Sequence, residues 1–301
     1  MPLVLEYTLV FTTVLALVAL GGMFSERSGV INLGLEGIMV IGALAGAIVT
    51  SVLSKANCPN FLNVIVSIIA SMISGWLFSM LLGIACIKFK ADQTITGTAL
   101  NIMSTALAVV IARMYTKTPS SQVDYTRQIY MFSYDGNVGI FLIFMLVATF
   151  ASYVFLFKTS GGLRLMSCGE HPQAADSVGI NVYKERYLGV SISGILGGLG
   201  GFAYIVQSAG QWDFKYGVTG FGFLALAVMI FGQWKPIKIL LAALVFGLCQ
   251  TVAIIYSGTL GIPQFVYKML PYIVCMIVLV LTSKKSRAPK AEGQPYDQGK
   301  R

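Results

Sequence analysis

Long runs of apolar residues separated by short polar stretches dominate this chain of 301 residues. A transmembrane helix needs about 20 predominantly apolar residues. A backbone in lipid must satisfy its own hydrogen bonds, which favours helices for runs of this length. The pattern predicts an all-α, polytopic membrane helix bundle of about nine spans, within a range of eight to ten. The predicted spans lie near residues 3–23, 31–53, 61–87, 94–113, 138–157, 188–209, 220–234, 237–256 and 264–282.

Two of the predicted spans depart from this pattern. The fourth begins with the polar stretch Gln93-Thr-Ile-Thr-Gly-Thr-Ala-Leu-Asn101. We expect it to be buried, to line a cavity or to be partly re-entrant, because such a sequence is a poor match to lipid. The seventh span is short and begins with Gly220-Phe-Gly222, which indicates a broken or tucked helix.

The composition agrees with a membrane protein. Apolar residues make up 56% of the chain and charged residues 11%, against roughly 25% charged residues in soluble domains. These values exclude a water-soluble globule and a disordered chain. The loops are too short for a separate soluble catalytic domain. The first apolar run lacks the basic and small-residue flanks of a cleaved signal, so we interpret it as a retained helix.

The net charge of +9 becomes informative once it is placed on the loops. Of the 21 Lys and Arg residues, 15 fall on one set of connections and 6 on the other. Because cytoplasmic loops carry an excess of Lys and Arg, the N-terminus is predicted outside and the C-terminus in the cytoplasm. Residues 1–282 form the predicted transmembrane domain. Residues 283–301 are predicted to be a disordered basic cytoplasmic tail, attracted to anionic lipid rather than to nucleic acid.

The sequence contains no cluster typical of a cofactor, metal or catalytic site. The five cysteines are scattered without a CxxC spacing, which is typical of small buried apolar residues. No GxxxxGK[ST] phosphate loop occurs. If ATP drives this protein, another chain must therefore bind it.

Glu36 is the acidic residue that lies well inside an apolar span. A carboxylate at that depth is expensive and is a functional hypothesis by default. The alternative is a structural carboxylate, capped by a polar side chain of a neighbouring helix or by Arg27. Asn32 precedes Glu36 by four residues, so both are predicted to lie on one helix face.

Glycines recur at helical spacing in the sixth span. Gly194 and Gly198, and likewise Gly197 and Gly201, form small-xxx-small pairs that allow two helix backbones to pack closely. The same stretch resembles a dinucleotide fingerprint only formally, because it follows no strand.

The predicted cytoplasmic connection 158–187 contains a readable short helix. Pro172 suits a first helical turn and Gly179 suits the end of the helix. Ala174, Ala175 and Val178 would share one face. A helix of about two turns does not persist alone, so it either docks in a groove of another protein or is a capped loop. His171 is predicted to be a cap or a docking contact.

The predicted external loops combine polar and aromatic side chains. Such a rim could receive a ligand or a binding protein, and ordinary interfacial anchoring explains it about equally well. The residues concerned are Trp212, Asp213, Lys215 and Tyr216 in one loop, and Tyr115, Lys117, Asp124, Tyr125 and Arg127 in the other.

Two long motifs resemble one family. The stretches 26–37 (Glu-Arg-Ser-Gly-Val-Ile-Asn-Leu-Gly-Leu-Glu-Gly) and 162–182 (Gly-Leu-Arg-Leu-Met-Ser-Cys-Gly-Glu-His-Pro-Gln-Ala-Ala-Asp-Ser-Val-Gly-Ile-Asn-Val) resemble permease subunits of bacterial ABC importers. The branch is the one that handles branched-chain amino acids, simple sugars and nucleosides. The resemblance spans roughly residues 5–282. The stretch 92–101 is similar to the nucleoside-type permeases that work with a basic membrane lipoprotein.

The resemblance implies a transport subunit of the bacterial cytoplasmic membrane rather than an enzyme. Its partners would be ABC ATPase subunits, a second, non-identical permease subunit and an extracytoplasmic substrate-binding lipoprotein. The implied solute is nucleoside-like, with ribose-like sugars, riboflavin-like ligands and branched-chain amino acids as alternatives. A secondary transporter that uses Glu36 for ion or proton coupling is one alternative, and a channel-like or purely assembling membrane protein is another.

Two sets of site residues follow as expectations. The ATPase-coupling set is Gly169, Glu170, His171, Pro172, Ala174, Ala175, Asp176 and Gly179. The substrate-pathway set is Asn32, Glu36, Gln93, Asn101, Gln207, Phe221 and Phe223.

Overall fold

The computed structural model describes residues 3–132, 138–208, 210–255, 269, 272–274, 276 and 288–297. This part of the chain is mostly helical. The α-helices are α1 (Leu3–Arg27), α2 (Leu35–Lys55), α3 (Asn60–Gly83), α4 (Gln93–Thr116), α5 (Phe141–Lys158), α6 (Ser160–Glu170), α7 (Pro172–Ser177), α8 (Val182–Ser208), α9 (Phe221–Phe231) and α10 (Pro236–Ile255). A π-helical turn, Ile84–Lys88, extends α3, and short 3₁₀ helices lie at Gln128–Tyr130 and Phe214–Tyr216.

The described helices confirm a polytopic membrane protein but not nine spans. Seven of them are long and apolar enough to cross a membrane, namely α1, α2, α3 with its π-helical turn, α4, α5, α8 and α10. Helix α9 has 11 residues and is therefore about 16 Å long, which is too short for a hydrocarbon core of about 30 Å. The predicted ninth span, 264–282, falls largely outside the described residues.

Helix α4 corrects one expectation, because it is continuous over 24 residues and not re-entrant. Asp92 caps its start by accepting the N–H groups of Thr94 and Ile95. Threonine hydroxyls inside the helix donate to carbonyls of the preceding turn, as Thr98 does to Thr94. Polar side chains satisfied in this way do not require burial. One face, which includes Gly97 and Ser104, is buried.

Helix α8 is the centre of the bundle and packs on α1, α2 and α3. Its glycine pairs act as the sequence predicts. A Cβ atom on Gly198 would collide with the backbone of Ser71 in α3, and one on Gly201 with the backbone of Met39 in α2. Gly42 of α2 in turn has no room for a Cβ atom beside Gly198. The absence of side chains therefore sets how closely α8 approaches its neighbours.

Burial is uneven among the helices. Helices α1 and α8 are buried along most of their length, whereas α3, α4 and α5 expose large apolar side chains. These exposed faces suit lipid or another apolar subunit. Examples are Phe61 on α3, Ile102 on α4 and Phe150 on α5.

The two ends of the bundle are distinct. At one end, which we call the basic face, α1 ends, α2 and α4 begin, and α6 and α7 lie between α5 and α8. At the other end, the sheet face, strand β1 (Gln122–Asp124) pairs antiparallel with strand β2 (Gln211–Asp213), with Val123 opposite Trp212.

Residues 288–297, which we call the strap, lie against the basic face. The sequence predicts disorder for the tail that contains them, yet Ala291 and Tyr296 of the strap are buried. The strap contains a turn at residues 290–293 and has irregular backbone on either side of it. Short polar sequences can pack when a few apolar side chains find a preformed surface.

Candidate functional site

The segment between α1 and α2, residues 28–34, has irregular backbone and is buried or half-buried. We call it the junction. Gly29 in the junction has φ +95°, which a residue with a side chain rarely adopts. The guanidinium of Arg186 lies directly over this glycine. Buried irregular backbone needs hydrogen-bond partners from elsewhere, since an unsatisfied buried amide is costly.

Two amide side chains of α4 supply those partners. Asn101 donates from Nδ2 to the Leu33 carbonyl at 2.8 Å, and its Oδ1 accepts the Gly37 N–H at 2.8 Å. Gln93 Oε1 accepts the Ile31 N–H at 2.6 Å. The polar start of α4 thus stabilises the junction.

The junction is also tied to α1 and α8. Ser25 Oγ of α1 donates to the Val30 carbonyl at 2.7 Å. Asn32 is fully buried, and its Nδ2 donates to Ser193 Oγ of α8 at 2.8 Å. The prediction that Asn32 shares a helix face with Glu36 is wrong, because α2 begins at Leu35 and leaves Asn32 in the irregular junction. Within the described part of the chain, Asn32 Oδ1 is buried without a hydrogen-bond partner.

Glu36 lies just beyond the junction and caps the start of α9. Its Oε1 accepts the Gly220 N–H at 2.8 Å and its Oε2 accepts the Gly222 N–H at 2.7 Å. The Phe223 N–H also donates to this carboxylate. A carboxylate at a helix N-terminus satisfies free N–H groups and stabilises the helix dipole. The geometry supports the structural alternative for Glu36, with α9 rather than Arg27 as its partner.

Glycine is required at the contact between Glu36 and α9. Gly220 has φ +84°, and a Cβ atom on Gly222 would lie 2.5 Å from the Glu36 backbone. Side chains at these positions would push the carboxylate away from the N–H groups.

Helix α9 runs from the interior of the bundle to the basic face. Its start meets Glu36, and the preceding Gly217 lies against Val40 of α2 and Thr105 of α4. Just beyond its end, the Trp234 Nε1–H donates to Glu26 Oε2 at 2.6 Å, and Arg27 donates to the Trp234 carbonyl at 3.1 Å. A helix that begins inside the bundle is the discontinuous element found around transporter binding sites.

The remaining predicted pathway residues are distributed differently. Phe221 is buried, with its ring centroid 4.5 Å from that of Tyr204 and 5.8 Å from that of Phe11. Gln207 is buried, and both its amide atoms lack a partner within the described residues. Phe223 is 47% exposed and points out of the chain. The structure thus brings Asn32, Glu36, Gln93, Asn101 and Phe221 around the junction and the start of α9. Their role as pathway lining stays a prediction.

Helix α7 confirms the predicted short helix of the coupling segment. Pro172 is its first residue, and Gly179, with φ +84°, donates its N–H to the Asp176 carbonyl at 2.9 Å. The predicted face is divided, because Ala175 is buried while Ala174 and Val178 are exposed. With only six residues, α7 packs through Pro172 and Ala175 and leaves Val178 in the open, 75% exposed.

The residues before α7 attach it to the junction. Gly169 approaches the Arg27 backbone so closely that a Cβ atom would collide with it. Glu170 Oε1 lies 3.9 Å from Arg27 Nη1. His171 occupies the N-cap position of α7, but its side chain makes no capping hydrogen bond. A displacement of the coupling segment would therefore act directly on the end of α1.

The sheet face carries an open polar cleft of about 470 Å³. Aromatic side chains beside the cleft donate hydrogen bonds to backbone carbonyls of the bundle. The Trp212 Nε1–H donates to the Gly217 carbonyl at 2.9 Å, and the Tyr125 hydroxyl donates to the Ile205 carbonyl at 2.8 Å. The cleft is lined by Ser51, Lys55, Tyr115, Thr116, Thr118, Ser120, Gln122, Asp124 and Gln211.

Hydrogen bonds stabilise the ionised carboxylate of Asp213 at this face. The Ser121 hydroxyl donates to Asp213 Oδ1. This hydrogen bond, together with the Lys215 N–H, lowers the pKa of Asp213. Asp213 of β2 is thus joined to Ser121, which directly precedes β1. Tyr216, in the following 3₁₀ helix, is 66% exposed.

Two site residues were missed by the sequence reasoning. Trp234 holds the carboxylate of Glu26, and Arg186 is buried over Gly29. The signal for both was weak. Trp234 follows the end of α9 and Arg186 lies in the first turns of α8, and neither belongs to a recognised motif.

Comparisons with known proteins agree on one family. Residues 4–280 match the family described as "Branched-chain amino acid transport system / permease component". The guanosine ABC transporter permease protein NupQ of Bacillus subtilis is 41% identical, covering 100% of this chain and 98% of the relative. The nucleoside ABC transporter permease protein NupC of Lactococcus lactis is 37% identical with the same coverage. A putative glucose ABC transporter permease protein of Haloferax volcanii is 31% identical over 82% of this chain and 76% of the relative.

Proposed function

Since the chain belongs to the permease component family of branched-chain amino acid transport systems, we propose that it forms the translocation pathway of an ATP-driven importer for nucleosides. The protein is a multi-pass membrane subunit of an ABC transporter and not an enzyme. The observation that carries the nucleoside assignment is the full-length similarity to permeases named for guanosine and for nucleosides. The more distant glucose permease makes simple sugars the competing substrate class.

In this proposal, the basic face lies in the cytoplasm and α7 is the docking helix for an ABC ATPase subunit. Arg27, Lys90 and Arg186 share this face with α7, in support of the positive-inside orientation. An exposed Val178 at the end of a helix too short to persist alone supports docking into a partner groove. The predicted coupling residues from Gly169 to Gly179 would form this contact.

The proposed importer contains further subunits. The exposed apolar faces of α3, α4 and α5 leave room for a second permease subunit, non-identical to this chain. The polar cleft on the sheet face is a suitable place for a solute delivered by an extracytoplasmic binding lipoprotein.

The contacts suggest how the two ends of the bundle would communicate. Motion of α7 would reach the end of α1 through the close contact of Gly169 with Arg27. From there the junction and Glu36 connect to the start of α9. A shift of α9 against α2 and α8 would alter access to the interior near Asn32, Gln207 and Phe221. Substrate must bind the two resulting states with different affinities for coupling to occur.

Secondary transport through Glu36 finds no support in this geometry. Both carboxylate oxygens accept backbone N–H groups of α9. A coupling carboxylate would have to release these groups with each cycle, at the cost of leaving buried donors unsatisfied.

The test of the substrate class is a competition panel. Proteoliposomes that contain the full importer would take up labelled guanosine, with ATP supplied on the ATPase side. We expect unlabelled nucleosides to compete, and ribose, glucose, riboflavin and leucine to compete weakly or not at all. Uptake of labelled glucose but not of labelled guanosine by the same proteoliposomes would contradict the assignment. Uptake without ATP would contradict the importer mechanism.

A further inference from the structure

The strap connects parts of the basic face that are distant in sequence. The Ala291 N–H donates to the Gly169 carbonyl at 2.9 Å, at the end of α6. The Gly293 N–H donates to the Gly29 carbonyl of the junction at 3.3 Å. Ten residues of chain thus bridge the coupling segment and the junction.

The strap also supplies the largest side chain of a small cluster around α7. Cys168, Ala175, Val182 and Tyr296 form a hydrophobic cluster separate from the main core. The ring of Tyr296 packs edge-on against Tyr183, with centroids 5.4 Å apart. Because Ala175 is the inward-facing side chain of α7, part of the surface that holds this helix belongs to the strap.

Polar contacts fix the strap at further points. Arg186 is 1% exposed, and its Nη1 donates to the Gln294 carbonyl at 3.0 Å. Within the described chain, the other guanidinium nitrogens of Arg186 are buried without hydrogen-bond partners. The strap carbonyl is therefore the acceptor for this buried cation, at a site where an unsatisfied charge is costly.

Ion pairs and carboxyl groups complete the attachment. Lys90 Nζ lies 3.0 Å from Asp297 Oδ1, which joins the strap to the α3–α4 connection. Glu292 is hydrogen-bonded to Glu26 of α1. The strap is thus attached to α1, the junction, the α3–α4 connection, the coupling segment and α8.

From this arrangement we infer that the strap is a positioning element for ATPase coupling, which holds α7 in the orientation that the ATPase subunit binds. The inference rests on the coupling role proposed above. A six-residue helix has too few internal hydrogen bonds to persist alone. Without the strap, α7 keeps its contacts with α6 and α8 but loses Tyr296. The helix would then have to be ordered at the moment of docking, which weakens binding.

The experiment compares two truncations of the full chain in detergent. One ends after Arg287 and removes the strap; the matched control ends after Asp297 and keeps it. A second pair, Tyr296→Ala and Tyr296→Phe, removes or retains the ring. Each variant carries Cys168 alone, with Cys58, Cys86, Cys249 and Cys275 replaced by serine. Cys168 is fully buried beside Tyr296, so its alkylation by N-ethylmaleimide reports whether the strap is in place.

The second readout is the affinity for the ATPase subunit that co-purifies with the full chain. We expect removal of the strap to speed alkylation about tenfold or more and to weaken ATPase binding about tenfold. Tyr296→Ala should shift both readouts in the same direction. The control truncation should resemble the full chain, and Tyr296→Phe, which keeps the ring, should lie closer to the full chain than Tyr296→Ala does.

Two results would overturn the inference. In the first, Cys168 stays protected when the strap is removed, which would mean that the strap does not cover the cluster. In the second, alkylation is fast but ATPase affinity is unchanged, which would mean that the strap does not position α7. Neither readout uses a transported solute, so a wrong nucleoside assignment leaves both valid. If the full chain bound no ATPase subunit, the coupling role and this inference would fall together.

Discussion

The junction and the coupling segment lie side by side on the basic face, yet they are held in different ways. The junction is fixed by side chains of α1 and α4 that satisfy its backbone, and by Ser193 of α8, which accepts a hydrogen bond from the Asn32 side chain. Helix α7 buries two side chains, Pro172 and Ala175, and exposes the rest wholly or in part. Polar groups buried at the junction are costly to release, whereas displacement of α7 would uncover only these two side chains. The difference indicates a firmly held junction beside a more loosely held α7.

The largest expected loss of stability is at Glu36, which lies just beyond the firmly held junction. Glu36→Ala leaves the N–H groups of Gly220, Gly222 and Phe223 without their acceptor, and we expect a loss of about 4 kcal/mol in unfolding free energy. Glu36→Gln keeps one acceptor oxygen, so about half of that loss is expected. Unfolding in detergent micelles would measure both.

The matched control for Glu36 is a carboxylate of the coupling segment. Glu170 is 40% exposed and 3.9 Å from Arg27, so Glu170→Ala should cost less than about 1 kcal/mol. Equal losses of unfolding free energy for Glu36→Ala and Glu170→Ala would contradict the contrast between the region of the junction and the coupling segment.

A second, smaller effect compares two asparagines. Asn101→Ala would leave the Leu33 carbonyl and the Gly37 N–H unsatisfied, at about 2–4 kcal/mol. Asn181 accepts the Lys184 N–H at the exposed start of α8, so Asn181→Ala should cost about 1 kcal/mol. Thermal unfolding of the two variants measures the difference. A larger loss for Asn181→Ala would contradict the account of the junction.

A third prediction concerns pH and the strap. Burial raises the pKa of Glu292, partly opposed by its hydrogen bond with Glu26. The docked strap therefore holds a proton more tightly than the free strap. Docking is fully supported below the ordinary carboxyl pKa and weakens as pH rises through the raised value. Arg186 of α8 and Lys90 of the α3–α4 connection are cations that bind the strap, through Gln294 and Asp297 respectively.

The measurement for Glu292 is the alkylation rate of Cys168 relative to that in Glu292→Gln. This amide mimics the protonated carboxyl, and the ratio cancels the titration of the thiol itself. We expect the ratio to increase modestly with pH. A ratio that falls as pH rises would contradict the predicted sign.

The smallest effect on stability is expected at the end of α7. Val178→Ser changes an exposed side chain, so the unfolding free energy should stay within about 0.5 kcal/mol of the original. Binding of the ATPase subunit should nevertheless weaken, since an apolar docking contact is lost. Gln173→Ala, also exposed on α7, serves as the control and should alter neither quantity. Unchanged ATPase affinity in Val178→Ser would remove Val178 from the docking surface.

The features that the sequence predicts well depend on local signals. Pro172 and Gly179 mark the start and the end of α7 because both act through their own backbone. The glycine pairs of α8 predict close packing, since spacing along one helix is enough to place them on a face. The resemblance around residues 26–37 and 162–182 correctly indicates the family.

The features that the sequence does not predict depend on distant partners. The partner of Glu36 is the start of α9, 184 residues further along the chain for Gly220. Nothing near Glu36 identifies that contact. The polar start of α4 indicates burial or a re-entrant loop only if its threonines need partners outside the helix. Instead, their hydroxyl groups donate to backbone carbonyls four residues earlier in the chain. The strap has a polar composition typical of disorder, and its few apolar residues gain a surface only after folding.

The pairing of β1 with β2 has a consequence for the order of folding. The two strands flank α5, α6, α7 and α8, so their contact closes a loop that contains four helices. During synthesis β1 emerges well before β2 exists. Helices α5 and α8 must therefore enter the bilayer without this contact to guide them. Closing a loop of this length is entropically costly and slow. The sheet therefore forms late, after the four helices between its strands have packed.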